Sequence, residues 1–345
     1  MPGMNKDQLI RTARALVARG KGILAADESA STIAKRFSAF QIDSSPQTRR
    51  DYRELLFRSK GAIEQSISGV ILFDETIRQQ ASDGVELVKL IEAAGALPGI
   101  KVDIGAKLLA HYPGETITEG LDGLRERLSD YRDLGARFTK WRAVIGIDAH
   151  IPTPYAVDAN ASALARYSAL CQEADLVPIV EPEVLMDGDH DLDRCAGVTE
   201  FVLKRVFMAL SEAQVLLEGM ILKPNMVVPG KRCPRQAAPK EVARATIRVL
   251  NRSVPVAVPG IAFLSGGQSD VDATANLNAI NRIGGPWALT FSYGRALQAA
   301  ALKVWAGHGE NAPAASAAFT HRAFMNGLAA QGRWSKDLEP PPQDS

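Results

Sequence analysis

The sequence predicts an α/β fold, a single (β/α)₈ TIM barrel across residues 1–345, and three observations predict it. Eight short, apolar, β-rich runs recur along the chain. Helix-patterned segments such as "DGLRERLSDYRDLG", "NASALARYSALCQEAD" and "AGVTEFVLKRVFMALSEAQ" separate them. No Pro/Gly/Ser-rich linker divides the 345 residues. Strands alternating with amphipathic helices imply parallel βαβ units, and eight such units close most naturally into a barrel.

The elements follow in order. "MPGMNKDQLIRTARALVARG" has apolar residues broken by charges every few positions and no uninterrupted apolar run, which predicts an amphipathic surface helix over about 5–19. The expected strands are "GILAAD" (22–27), "GVILF" (69–73), "GIKVDIG" (99–105) and "FTKWRAVI" (138–145). They continue with "VPIVEPEV" (177–184), "GMILKPN" (219–225), "VAVPGIAFLSGG" (256–267) and "WALTFSYG" (287–294). The tail "LEPPPQDS" is proline-rich and polar, so the chain from about 334 to 345 is expected to be disordered.

Bulk composition narrows the partners. A formal net charge of +1 gives no general attraction to nucleic acid or an anionic membrane, so any anion binding must be local. No stretch approaches the ~20 apolar residues of a membrane span. Cys171, Cys195 and Cys233 form no CxxC pair, which fits a reducing compartment. The expected setting is cytoplasmic.

The strands carry charges where a core is expected. Residues i and i+2 of a strand share a face. Lys101 and Asp103 therefore share one, as do Lys140 and Arg142, and Glu181 and Glu183. Lys223 ends the sixth strand and Asp27 the first. If these faces point inward, four cations (Lys101, Lys140, Arg142, Lys223) meet four carboxylates (Asp27, Asp103, Glu181, Glu183). That balance offsets the desolvation of an ammonium, several kcal/mol when uncompensated. Taken singly, each pair has a rival reading as an ordinary ion pair or an outward-facing one. Together, they sit at the C-terminal strand ends where barrel enzymes do chemistry.

Such a cluster suits covalent catalysis. Burial and neighbouring cations both disfavour the charged form of a lysine. A neutral amine attacks a carbonyl carbon to give a Schiff base. A carboxylate such as Glu181 can shuttle the proton that expels water from the carbinolamine. The protonated imine then withdraws electrons from a neighbouring carbon–carbon bond.

Two anion sites flank the charges. Ser265-Gly266-Gly267 ends strand seven, and Gly294-Arg295 ends strand eight, the loops where barrels often hold phosphate. Glycines let backbone N–H groups approach an anion, and helices start just beyond them. Either turn alone is equally a tight βα connection. In "DESASTIAKR", Ser29 and Thr32 can bind a second phosphate or simply cap a helix. Two phosphates beside a Schiff-base lysine imply a sugar phosphorylated at both ends. No metal is expected: the five histidines are scattered with no HxH or HxxxH pair, and "DGDHDLD" lacks the pattern of a calcium loop. That acidic stretch reads as a solvated loop.

In this order, "GILAADES", "GVILF", "GIKVD", "KWR", "VPIVEPE", "GDHDL", "ILKPNMV", "FLSGGQS" and "PWALTFSYGRALQ" resemble the class I fructose-1,6-bisphosphate aldolases, from about residue 7 to residue 333. The resemblance implies a metal-free barrel, usually a homotetramer, that acts on sugar phosphates. It cleaves fructose 1,6-bisphosphate reversibly to dihydroxyacetone phosphate and glyceraldehyde 3-phosphate, with no cofactor beyond the covalent Schiff base. Carried over by motif, Lys223 is the Schiff-base lysine and Glu181 the acid/base for imine formation. Asp27 takes the C4 hydroxyl proton, Lys140 stabilises charge at the reacting carbons, and Lys101 and Glu183 support them. Ser265, Gly266 and Arg295, with the neighbouring Gly267 and Gly294, hold the C1 phosphate. Ser29, Thr32, Lys101 and Arg142 lie toward the C6 phosphate.

Two departures stand out. Ser31 occupies a position where the family usually has glycine or proline. Animal and plant relatives end in a flexible tail with a terminal tyrosine, whereas this chain ends "PPPQDS" and its last tyrosine is Tyr293. Proton exchange at the carbanion is then expected to use another group or water. The rival enzyme class is a transaldolase, which a second phosphate clamp disfavours. A non-enzymatic barrel scaffold would be favoured only if Lys223 or Glu181 were missing.

Overall fold

The computed structural model describes residues 4–340. Eight parallel strands close a barrel: β1 Gly22–Ala26, β2 Ile67–Leu72, β3 Leu97–Lys101, β4 Phe138–Ile145, β5 Val177–Val184, β6 Ile221–Leu222, β7 Gly260–Phe263 and β8 Ala288–Tyr293. Each strand pairs with its neighbours in sequence, and β8 returns to β1. The expected strands are all present; β4 and β5 have the expected bounds, and the other six have shifted ends. β6 shrinks to two residues because a 3₁₀ turn, Leu217–Gly219, precedes it and Pro224, which cannot donate to a ladder, follows Lys223. β3 starts two residues earlier than expected, at Leu97.

Side-chain alternation splits the apolar residues into two bodies. Trp141, Val180, Leu222 and Phe263 face outward into the shell packed by the helices. Ile23, Ala25, Ile71, Phe138, Val177, Ile179, Ile221 and Ala262 face inward as a separate floor. Phe138 fills this floor so closely that neighbouring strands must be bare. A Cβ on Gly69 would stand 3.0 Å from its ring and 2.7 Å from Leu16, and one on Gly99 would collide with the ring outright.

The N-terminal helix, Lys6–Leu16, stoppers this floor. Asn5 caps it by accepting from the Gln8 N–H at 3.1 Å. Its apolar face, Leu9, Ala13 and Leu16, is fully buried in the floor cluster, so the helix is only half a surface element. Between β1 and β2 lie three helices, Ala30–Ser38, Pro46–Arg58 and Lys60–Ser66. After β3 the chain adds an antiparallel hairpin, Ala106–Leu108 with Thr116–Thr118, that the strand count did not anticipate.

The tail is ordered further than expected. Trp334 is buried, and its Nε1 donates to Glu339 Oε1 at 2.8 Å. Arg322 on the helix Ala312–Ala329 holds Glu339 at 2.7 Å. The proline-rich composition therefore misleads for residues 334–339, because one aromatic anchor and one buried ion pair suffice to fix them. Residues 341–345 lie outside the described residues. Among the described residues no helix is long and apolar enough to cross a membrane.

The floor packing predicts that Gly99→Ala lowers the unfolding free energy by about 1–3 kcal/mol through overpacking. Adding Phe138→Leu should recover part of the loss. Urea denaturation reads this, and an unchanged midpoint for Gly99→Ala would contradict the Phe138 contact.

Candidate functional site

Inward-facing positions change character along each strand. On β4 the inner face reads Phe138, Lys140, Arg142; on β5 it reads Val177, Ile179, Glu181, Glu183; on β6 it reads Ile221, Lys223. β1 runs Ile23, Ala25, Asp27. Apolar residues thus occupy the floor and charges the C-terminal mouth. Register aligns them: Lys140 lies beside Lys101, and Arg142 beside Glu181. The fourteen residues given a catalytic or phosphate-binding role from the sequence, and Asp103 beside them, line one cavity of about 660 Å³ at this mouth.

The charges form one network. Lys140 Nζ lies 2.7 Å from Asp27, 3.6 Å from Glu181 and 3.8 Å from Asp103. Lys223 Nζ lies 3.2 Å from Glu181, the sole carboxylate within ion-pair distance of it among the described residues. Lys140, Lys223 and Glu181 are each buried. Glu181 therefore bridges two ammonium groups, one oxygen toward each. Lys101 pairs with Asp103 at 3.6 Å, and Arg142 pairs with Glu183. Burial alone would raise the Asp27 carboxyl, but Lys140, Lys223 and Lys101 outweigh it and hold Asp27 well below the usual carboxylate range. Burial likewise would lower Lys140, yet Asp27, Glu181 and Asp103 hold it above the usual lysine range.

Local chemistry explains why Lys223 is followed by Pro224-Asn225. The Lys223 N–H still donates to Val180 O at 2.8 Å, and Pro224 then ends the strand. Asn225 Oδ1 accepts from the Val184 N–H at 3.0 Å, while its Nδ2 donates to Thr199 at 3.2 Å. β5 and β6 are thereby locked at the level of the Lys223–Glu181 pair.

Two loops close the rim. Gly266 and Gly267 both have positive φ, +60° and +97°, a left-handed backbone that glycine adopts without strain. Gly294 caps the helix that Arg295 opens. On the other side, Ser29 does cap the helix Ala30–Ser38, accepting from the Thr32 N–H at 3.3 Å. Its hydroxyl also meets Thr32 Oγ1 at 3.0 Å and Ser31 Oγ at 3.1 Å, so Ser31 extends a hydroxyl cluster.

Three features escaped the sequence. Glu28 is buried against Arg53 at 2.7 Å, with Arg36 and Gln298 also on it. Gln298 Nε2 also donates to Ala25 O at 2.7 Å, which ties β1 to the helix that begins at Arg295. Alternation would have sent Glu28 outward, but β1 ends at Ala26 and the rule lapses. Lys231 lines the cavity from a loop that no strand rule reaches. In the acidic loop after β5 the four aspartates are exposed, as expected of a solvated loop, while Gly188 and His190 are buried. The Gly230, Lys231 and Arg232 N–H groups each donate to carbonyls of residues 186–190 at 2.8 Å. No group of three or more histidine, cysteine or acidic side chains among the described residues is arranged to hold a metal ion.

Known proteins resemble the chain over nearly its whole length. The family model described as fructose-bisphosphate aldolase class-I matches residues 8–343. A Xanthomonas campestris pv. campestris protein, "Probable fructose-bisphosphate aldolase class 1", is 56% identical over 96% of this chain and 99% of its own. Fructose-bisphosphate aldolase C of Rattus norvegicus is 54% identical over 95% of this chain and 91% of its own. A fructose-bisphosphate aldolase from Plasmodium falciparum, solved with TRAP and a small-molecule inhibitor, superimposes with a TM-score of 0.95. It is 48% identical and covers 96% of this chain and 97% of its own.

The opposed shifts of Asp27 and Lys140 fix a pH window. A depressed carboxylate contributes its stability in full above the unfolded value near 3.9, and loses it as pH falls through the lower folded value. A raised lysine contributes in full below about 10.4, and loses it as pH rises through the higher folded value. A double-mutant cycle of Asp27→Asn and Lys140→Met should give a coupling of about 2 kcal/mol, level from pH 5 to 9. Decay of that coupling between pH 6 and 5 would contradict the depressed carboxylate.

Proposed function

The chain belongs to the class-I fructose-bisphosphate aldolase family and cleaves fructose 1,6-bisphosphate reversibly through a lysine Schiff base, a lysine that we propose is Lys223. What carries the assignment is the difference between two buried amines. Lys140 has three carboxylates within 3.8 Å, whereas Lys223 has Glu181 at 3.2 Å. The more tightly compensated ammonium suits a fixed cation, and the less tethered amine suits a nucleophile.

The steps follow from the positions. Lys223 passes a proton to Glu181, and its amine attacks the C2 carbonyl carbon. Glu181 returns a proton to the carbinolamine hydroxyl, which leaves as water and gives the iminium. Asp27, kept ionised by Lys140, accepts the C4 hydroxyl proton. The C3–C4 bond then breaks, its electron pair flows into the iminium, and glyceraldehyde 3-phosphate departs. The remaining enamine takes a proton at C3 from water, Asp27 gives up the proton it accepted to solvent, and water hydrolyses the iminium to dihydroxyacetone phosphate and free Lys223. Lys140 stabilises the changing charge beside these atoms, while Lys101 and Glu183 support the network. Ser265, Gly266, Gly267, Gly294 and Arg295 hold the C1 phosphate. Ser29, Thr32, Lys101 and Arg142 face the C6 phosphate. A second phosphate clamp favours a bisphosphate aldolase over a transaldolase.

The family works without a metal, and this reading needs no cofactor. Assembly as a homotetramer and a cytoplasmic setting are carried from the family; the unpaired Cys171, Cys195 and Cys233 are consistent with a reducing compartment.

Borohydride added during turnover of fructose 1,6-bisphosphate should fix a three-carbon adduct on Lys223, mapped by peptide mass spectrometry. Label on another lysine would refute the assignment. Lys223→Ala should abolish turnover with little change in melting temperature, and Glu181→Gln should slow it about 10²–10⁴-fold. Activity is expected to persist in EDTA.

A further inference from the structure

Lys231 brings a cation to the phosphate turn from a direction that the strands do not supply. Its Nζ and the Nη2 of Arg295 each lie 2.8 Å from the point that a Cβ on Gly267 would occupy. The two cations therefore flank one small volume beside the positive-φ residues Gly266 and Gly267, and Gly267 keeps that volume free. Ser265 lines the same cavity.

Lys231 is fixed at its root and loose at its tip. Its N–H donates to Met186 O at 2.8 Å, and the N–H groups of Gly230 and Arg232 bond the same loop at 2.8 Å. Its ammonium meets Asp187 at 2.6 Å, with 41% and 59% of the two side chains exposed. An exposed pair of this kind is weakened by water and salt. A phosphate dianion presents more charge and more acceptor oxygens than one carboxylate.

We propose that Lys231 is a second cation for the substrate phosphate held at the Ser265–Gly267 turn, exchanging Asp187 for that phosphate when substrate binds. The proposal rests on the assignment of that turn and Arg295 to one phosphate. Asp187 then serves as the resting partner that keeps the ammonium beside the mouth. Lys231 acts on affinity for the phosphorylated end and touches no reacting carbon.

The test compares Lys231→Met, Lys231→Arg, Asp187→Asn and Arg295→Gln. The readouts are KM for fructose 1,6-bisphosphate, competitive inhibition by inorganic phosphate, and the salt dependence of kcat/KM. Lys231→Met should raise KM and the phosphate Ki about tenfold, the loss of one charge-assisted hydrogen bond. It should also flatten the salt dependence. Lys231→Arg should restore most of the affinity, and Asp187→Asn should not weaken phosphate binding. If Lys231→Met and Asp187→Asn raise KM alike, with no rescue by arginine, the pair is a structural latch and the proposal fails. If Arg295→Gln weakens phosphate inhibition and Lys231→Met does not, Lys231 alone is wrongly assigned. If Arg295→Gln leaves phosphate inhibition intact, the phosphate assignment of the turn itself is overturned.

Discussion

Two ammonium groups, Lys140 and Lys223, are taken out of water inside a barrel, and the rest of the mouth is arranged around that fact. Each would face a desolvation penalty of several kcal/mol if left alone. Compensation comes from Asp27 on the end of β1, Asp103 just past β3 and Glu181 on β5. None of these is close to the lysines in sequence. Closure of the eight-stranded barrel is what brings them together, so charge balance at the mouth depends on the complete fold. The balance is also uneven: Lys140 has three carboxylates within 3.8 Å and Lys223 has one at 3.2 Å, although both are buried.

Around this layer, supporting contacts hold strand ends in place. Asn225 clamps β5 to β6 through the Val184 N–H and reaches Thr199 on the neighbouring helix. Behind Asp27, Glu28 at the cavity wall is held by Arg53, and Gln298 ties Ala25 to the helix that begins at Arg295. β1 and the helix that begins at Arg295 are thereby linked through one buried polar cluster. Mispositioning of a catalytic group by even an ångström is costly, so such contacts matter even though they touch no substrate.

Strand-face arithmetic made much of the site legible. The pairs Lys101/Asp103, Lys140/Arg142 and Glu181/Glu183 do line one cavity, while Val102 and Trp141 between them pack outward. The arithmetic stops where the strand stops. Glu28 sits two residues beyond β1, and Lys231 lies in a loop whose course is set by backbone bonds to residues 186–190. The hairpin at 106–118 was equally opaque, because three-residue strands carry too little alternation to register. The tail misled for the opposite reason. Its composition reads as disordered, but Trp334 and the Arg322–Glu339 pair depend on surfaces supplied by distant parts of the chain.

The stopper helix has a consequence for how the chain reaches this state. Leu9, Ala13 and Leu16 leave the ribosome well before the residues they pack against, because the floor they seal includes Phe138, Ile221 and Ala262. Their burial must wait for residues synthesised hundreds of positions later, a highly non-local contact of the kind that slows folding. Until then an amphipathic segment with no seat is available to chaperones, to other chains, or to a wrong barrel edge. A helix translated early is thus among the last to find its place.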